Sequence, residues 1–246
     1  MDPDVVPYYR GDLALVHHMG FGFHADACAP GILALLQPVR DRRGLVVELG
    51  CGSGLLTRHL LDAGHRVVAT DASAAMLALA RDHAAEAESI QQLVLPDDAV
   101  PAADAIVSTG HALNYLSNEA ALDRALVAAA QALRPGGVLA IDLCDLEWGV
   151  ARRGEPPLVR VNDDWVLATR FSSPSPDRYV REMTVFVRHR DGSWHRDDER
   201  HDNVLIDTSR VPSLLADHGV DARIAPSFGT EDLPPGLVAV IGRRPE

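Results

Sequence analysis

Short apolar runs alternate along this chain with stretches whose apolar residues recur every three or four positions. Residues 45–49, 65–71, 90–95, 103–108 and 138–143 read as buried strands, rich in β-branched residues and leucine. Between them lie helical patterns: 55–61, a stretch opened by Ser73 that carries Met76, Leu77 and Leu79, and 119–133 behind Ser117. Strand and helix in alternation is the pattern of an open α/β sheet.

The flanks differ. Residues 4–20 read as a short helix carrying Val5, Val6, Tyr8, Tyr9, Leu13, Leu15 and Val16, broken at Gly20-Phe21-Gly22-Phe23. A second helix covers about 25–39, with Ile32, Leu33, Leu35 and Leu36 as its core face, and Pro30 either splits it or marks its start. From 150 to 206, Arg and acidic residues alternate with Val, Trp, Phe and Tyr. Strands at 165–171, 178–189 and 194–206, with turns at 172–176 and Asp191-Gly192, predict an antiparallel meander. A helix from Ser209 to His218 and a strand pair at 220–225 and 236–241 close the chain. The expected division is 1–43, cap helices; 44–149, α/β core; 150–206, β insertion; and 207–246, elements completing the core.

The net charge of −12 argues against a nucleic-acid backbone as partner. All 23 basic residues are arginines, which excludes a lysine nucleophile or Schiff base. Cys28, Cys51 and Cys144 lie far apart and form no Cys-x-x-Cys, which fits a reducing compartment. No apolar run approaches a membrane span, and residues 1–4 do not read as a signal peptide. A cytoplasmic protein, monomer or homodimer, is expected. Adjacent His17-His18 lacks helical ligand spacing, so no metal site is expected.

The chemistry concentrates at Val46-Val47-Glu48-Leu49-Gly50-Cys51-Gly52-Ser53-Gly54. A strand enters a glycine turn that opens a helix, so backbone N–H groups can approach a ligand closely. The spacing is Gly-x-Gly-x-Gly. The third glycine of a dinucleotide loop would fall at position 55, which is Leu55. Asp71 ends the second strand 17 residues past Gly54, where a carboxylate can accept from ribose hydroxyls.

This stretch resembles the first motif of the class I S-adenosylmethionine (SAM)-dependent methyltransferases, and residues 71–77 resemble their second. Leu133-Arg134-Pro135-Gly136-Gly137 is a further signpost of that fold. The resemblance implies a Rossmann-like seven-stranded sheet with an antiparallel β insertion before the last helix. It also implies methyl transfer from SAM to an N or O nucleophile of a small molecule, leaving S-adenosylhomocysteine.

By position, the resemblance assigns Glu48, Gly50, Cys51, Gly52 and Gly54 to the loop and the methionine end. Asp71 and Ala72 go to the ribose, Met76 to the adenine face, Ser108 and Gly110 to the donor side, and Tyr8 to a lid. Leu95 or Asp97 meets adenine, by backbone or by carboxylate. Tyr9, Phe21, Phe23 and His17-His18 either form that lid or pack the cap onto the sheet. Asn114-Tyr115-Leu116 resembles sugar and glycine-type N-methyltransferases. His111 either orients the acceptor and takes its proton or is satisfied by cofactor or core. Asp142 and Asp145 stand behind it as candidate bases. Two other readings stay open: a SAM-binding partner without catalysis, and a nicotinamide-dependent oxidoreductase disfavoured by the missing glycine.

Overall fold

A computed structural model describes residues 8–229 and 231–246. Val5 and Val6 of the first expected helix lie outside the described residues. The elements β1 (Leu45–Leu49), α3 (Leu55–Asp62), β2 (Arg66–Asp71), α4 (Ala74–His83), β3 (Ser89–Gln92), β4 (Ala103–Ser108), α5 (Glu119–Ala132) and β5 (Leu133–Cys144) alternate as expected. With β10 (Asp221–Ala225) and β11 (Leu237–Arg243) they form a seven-stranded sheet ordered β10-β11-β5-β4-β1-β2-β3. Only β11 runs antiparallel to its neighbours β10 and β5.

Both faces of this sheet are covered, so its central strands are apolar on both sides. Val46, Val67 and Val107 pack beneath α2 (Phe23–Asp41) and α3, against Ile32, Leu36, Leu56 and Leu60. Val47, Leu49, Ile106 and Ile141 pack under Leu122 and Leu126 of α5 and Leu215 of α7 (Val211–Ala216). The carboxyl ends of β1, β2, β4 and β5 thus open on one edge, where ligands bind in such sheets.

A second sheet, ordered β6-β7-β8-β9, consists of β6 (Leu158–Val161), β7 (Trp165–Ser175), β8 (Arg178–Arg188) and β9 (Trp194–Val204). The α1 helix (Gly11–Gly20) lies on it, with Leu13 and Val16 against Trp165, Leu167, Met183 and Val185. Glycine is required at Gly20, because a Cβ there would sit 2.8 Å from the Trp165 ring.

Several elements differ from expectation. The α2 helix runs unbroken through Pro30: the proline lacks only the N–H that would reach the Asp26 carbonyl, and both residues are exposed. Asn118, not Ser117, caps α5, its side chain accepting from the Ala121 N–H. The third strand stops at Gln92: Leu93 N–H makes the last bond to β2, at Asp71 O, and the Val94 carbonyl then accepts from Asp97 and Asp98 N–H in a turn. β6 and the short helix α6 (Glu147–Ala151) are additions. The turn expected at 172–176 is mostly strand, β7 continuing to Ser175 with a register shift. Among the described residues, no single helix is long and apolar enough to cross a membrane.

Candidate active site

The loop after β1 is left-handed at Gly50, Gly52 and Gly54, with φ of 69°, 55° and 83°. Gly50 has a steric reason as well, since a Cβ on it would fall 2.3 Å from the Ala112 Cβ. The Cys51 N–H donates to Thr70 O at 2.8 Å and ties the loop to β2. Asp71 completes the tie: its Oδ2 accepts from Gly52 N–H and its Oδ1 from Ser73 N–H, each at 2.8 Å. A carboxylate offers about four acceptor positions. Acceptor capacity is therefore left for a ligand hydroxyl. Burial pushes the Asp71 pKa up, against the pull of the Ser73 and Gly52 amides.

Met76 is buried one turn into α4, its Sδ 3.9 Å from where a Gly52 Cβ would be. Ala72 is exposed, its carbonyl accepting from Gln92. Leu95 is half-buried and Asp97 exposed at the far end of this edge. Neighbouring Asp98 is occupied locally, accepting from Val94 N–H at 2.7 Å.

Glu48 sits beneath the loop, 2 % exposed, and accepts from Thr57 Oγ1 at 2.6 Å. Burial pushes its carboxyl up to about 8; the Asp71 charge acts the same way and the Thr57 hydroxyl opposes it. Burial likewise pushes the Cys51 thiol up, so it is an inert filler of the loop.

On the donor side, Ser108 ends β4 fully buried, its hydroxyl without a partner among the described residues. Gly110 has φ of 74° and nothing within 4 Å of where its Cβ would be. Open space at Gly110 and an orphaned hydroxyl beside it form a cradle that would suit the methionine end of SAM. His111 is left-handed too, at φ 49°, a strained setting for a histidine. Its ring stacks on Tyr115 at 5.6 Å and 20°, and its Nδ1 is buried without a partner among the described residues. Burial first, then the charges of Arg181 and His24, lower its pKa well below the usual histidine value.

Asp142 and Asp145 are engaged structurally. Asp142, 0 % exposed, accepts from Gly110 N–H at 2.9 Å, His111 N–H at 2.6 Å and His24 Nε2 at 2.8 Å. Burial works against a charge on His24, yet the hydrogen bond to Asp142 holds its pKa up to about 10. Asp145 accepts from Thr208 N–H and Oγ1 on one oxygen and from Glu147 N–H on the other. Its acceptors are committed to joining β5 to the segment that follows β9.

At the cap stands one residue that the sequence did not single out, Glu199. Glu199 on β9, 5 % exposed, accepts from the N–H groups of Tyr9 and Arg10 at 2.8 Å and bonds His201 Nε2 at 2.8 Å. Tyr9 reaches Tyr115, hydroxyl to hydroxyl, at 2.9 Å, and its carbonyl accepts from Ser73 Oγ at 2.8 Å. Tyr8 packs on His201 and Tyr115, with ring centroids 4.7 and 5.2 Å apart. His18 bonds Ser53 of the glycine loop at 2.9 Å. His17 packs on Tyr9 and Phe21, while Phe23 is largely exposed. Tyr8, Tyr9, His17 and His18 therefore meet at the ligand edge. One signal was available: Arg181 alternates with Tyr179, Met183 and Val185 on the inward face of β8, an arginine where apolar residues belong.

Residues 46–137 match the family model described as "Methyltransferase domain". A protein of Geobacillus sp. (strain WCH70) bearing a methyltransferase name is 25% identical over 192 residues, 75% of this chain and 77% of its own. The sugar N-methyltransferase KedS8 from Streptoalloteichus sp. ATCC 53650 superposes with a TM-score of 0.78 at 21% identity, covering 98% of this chain and 96% of its own. SAM-bound CalS10, an amino pentose methyltransferase from Micromonospora echinaspora, does so with a TM-score of 0.70 at 18% identity, covering 98% and 99%. Residues 46–137 thus match a methyltransferase domain, and the chain has the fold of the SAM-dependent methyltransferases it superposes on, for which SAM is the cofactor.

Proposed function

We propose that this protein transfers the methyl group of SAM to a nitrogen or oxygen nucleophile of a small molecule. The observation that carries the reading is Asp71: a half-buried carboxylate bound to the glycine loop by Gly52 and to α4 by Ser73, with acceptor capacity left for a ligand hydroxyl. In this reading Asp71 holds the ribose and Met76 backs the adenine. Glu48 and the Gly50–Gly54 loop take the methionine end, and Gly110 and Ser108 border the sulfur. Leu95 and Asp97 flank the adenine edge.

Bound SAM supplies an activated sulfonium methyl. What the chain adds is alignment, exclusion of water and a place for one proton. His111 suits that last task, because its ring is neutral at pH 7 and carries a free Nδ1. Asp142 acts through the backbone as a positioning residue, holding Gly110 and His111 by their N–H groups. Asp145 joins the core to the insertion. Residues 8–43 and 150–206 form the acceptor side, in keeping with the sugar substrates named for two structural neighbours. The three unpaired cysteines accord with a cytoplasmic setting.

The test is methyl transfer from labelled SAM across small amines, phenols and sugars, with His111→Ala beside the wild type. Equal SAM affinity with turnover lost supports the assignment. SAM binding with no turnover of any acceptor favours a non-catalytic SAM-binding role. NAD binding without SAM binding overturns the reading.

A further inference from the structure

The inward face of the β insertion carries a half-buried positive group that no carboxylate of the described residues pairs. On β8 and β9, Arg181 pairs in register with His201 and Tyr179 with Asn203, so all four side chains share one face of the sheet. That face looks toward α1 and toward Tyr115, which joins the groups: the Arg181 guanidinium donates to its hydroxyl, and His201 packs at 5.4 Å from its ring. His111 stacks on the same tyrosine. Arg181 therefore lies across Tyr115 from the candidate proton acceptor.

This cluster is under-satisfied. The Nε of Arg181, both amide atoms of Asn203, and the Nδ1 atoms of His17, His111 and His201 are all buried without a hydrogen-bond partner among the described residues. Buried polar atoms are nearly always paired, and three of these orphans, on Arg181, His111 and His201, surround one tyrosine. No carboxylate among the described residues lies within 4.0 Å of Arg181, although the other buried or half-buried charges nearby are matched: Arg10 by Asp197, His24 by Asp142, and His201 by Glu199. Glu199 is already spent on Tyr9, Arg10 and His201. The uncompensated charge is felt around it: burial first and Arg181 next bring His17 down to about 4. A half-buried guanidinium with an orphaned Nε and no counter-ion is costly, and a bidentate anion is the group that best repays it.

We infer that the methyl acceptor carries an anionic group, a carboxylate or a phosphate, seated on Arg181 with Asn203 beside it, while its nucleophile points toward His111. The inference rests on the methyltransferase reading and deepens it: Arg181 becomes the residue that selects the acceptor.

The experiment titrates acetate, and separately inorganic phosphate, into protein saturated with S-adenosylhomocysteine at constant ionic strength. It compares wild type, Arg181→Gln, Arg181→Lys and Asn203→Leu. Saturable binding of one anion is expected, weakened about tenfold or more in Arg181→Gln and less in Arg181→Lys, with S-adenosylhomocysteine affinity unchanged. Stronger acetate binding marks a carboxylate acceptor and stronger phosphate binding a phosphorylated one. Asn203→Leu leaves the Tyr115 contact intact and should weaken the same anion, which covers the case of Arg181→Gln folding poorly. No saturable anion binding, or binding equal in all four proteins, overturns the inference while leaving the methyltransferase reading in place. Failure of S-adenosylhomocysteine to bind the wild type overturns both.

Discussion

His24 Nε2 lies 2.8 Å from Asp142 Oδ2, and this pair fastens the cap helix α2 to the strand that ends beside the ligand edge. The same carboxylate holds Gly110 and His111, so cap and donor loop share one anchor. The His24 pKa is raised in the folded protein, to about 10 against the usual 6.5. Its stabilisation is therefore complete below pH 6.5 and lost as pH climbs through about 10. A His24→Gln variant should show a smaller fall in Tm between those values, read by scanning calorimetry. An unchanged slope would mean that the pair carries no charge. Asp142→Ala leaves buried donors and a buried histidine unpaired and should cost about 3–5 kcal/mol.

Gly50→Ala tests the loop geometry. The added methyl meets Ala112 and a left-handed φ together. Overpacking and backbone strain should remove about 2–4 kcal/mol, seen as a lower denaturant midpoint at unchanged slope. Gly64→Ala, at φ 83° with open space around it, controls for the backbone alone and should cost less. Equal losses would contradict the steric account.

Glu48 predicts a proton linkage. Its folded value of about 8 lies above the unfolded carboxyl range, so it favours the fold below pH 4.5 and loses that contribution as pH rises through 8. A cationic ammonium end bound over it lowers that value. Binding of S-adenosylhomocysteine at pH 7 should then release a proton, measured by calorimetry in two buffers of different ionisation enthalpy. Glu48→Gln should abolish the release. Release that persists in the variant would assign the proton to another group.

His111 predicts where turnover fails in acid. Its pKa is depressed by burial and by the Arg181 and His24 charges, so it stays neutral below pH 6.5. The acid limb of kcat should lie below that value and move upward in Arg181→Gln, which removes one of the depressing charges. A limb at or above 6.5 in the wild type would exclude His111 as the group titrating.

Much of this was legible in the sequence where the determinants are local. The strand Leu45–Leu49, the glycine loop and the strand Ala103–Ser108 follow from runs of neighbouring residues and appear with the expected bounds. Asp71 was legible because its partners, Gly52 and Ser73, belong to the same βαβ unit. Asp142 and Asp145 were read as candidate bases because an acidic residue at a strand end looks alike whether open or engaged. What engages them comes from His24, Gly110, His111 and Thr208, 31 to 118 residues away. Arg181 left one trace, an arginine among the apolar inward positions of β8, whereas Asn203 was hidden among the polar residues of β9. Only the register reveals which charges face inward.

The central claim is that Asp71 holds the sugar of SAM against the glycine loop. Calorimetric titration of S-adenosylhomocysteine into wild type and Asp71→Ala, with NAD as control ligand, tests it most directly. Stoichiometric binding to the wild type, an affinity lower by about tenfold or more in Asp71→Ala, and no binding of NAD is the predicted result. Equal affinities for S-adenosylhomocysteine in the two proteins, or a preference for NAD, would contradict it.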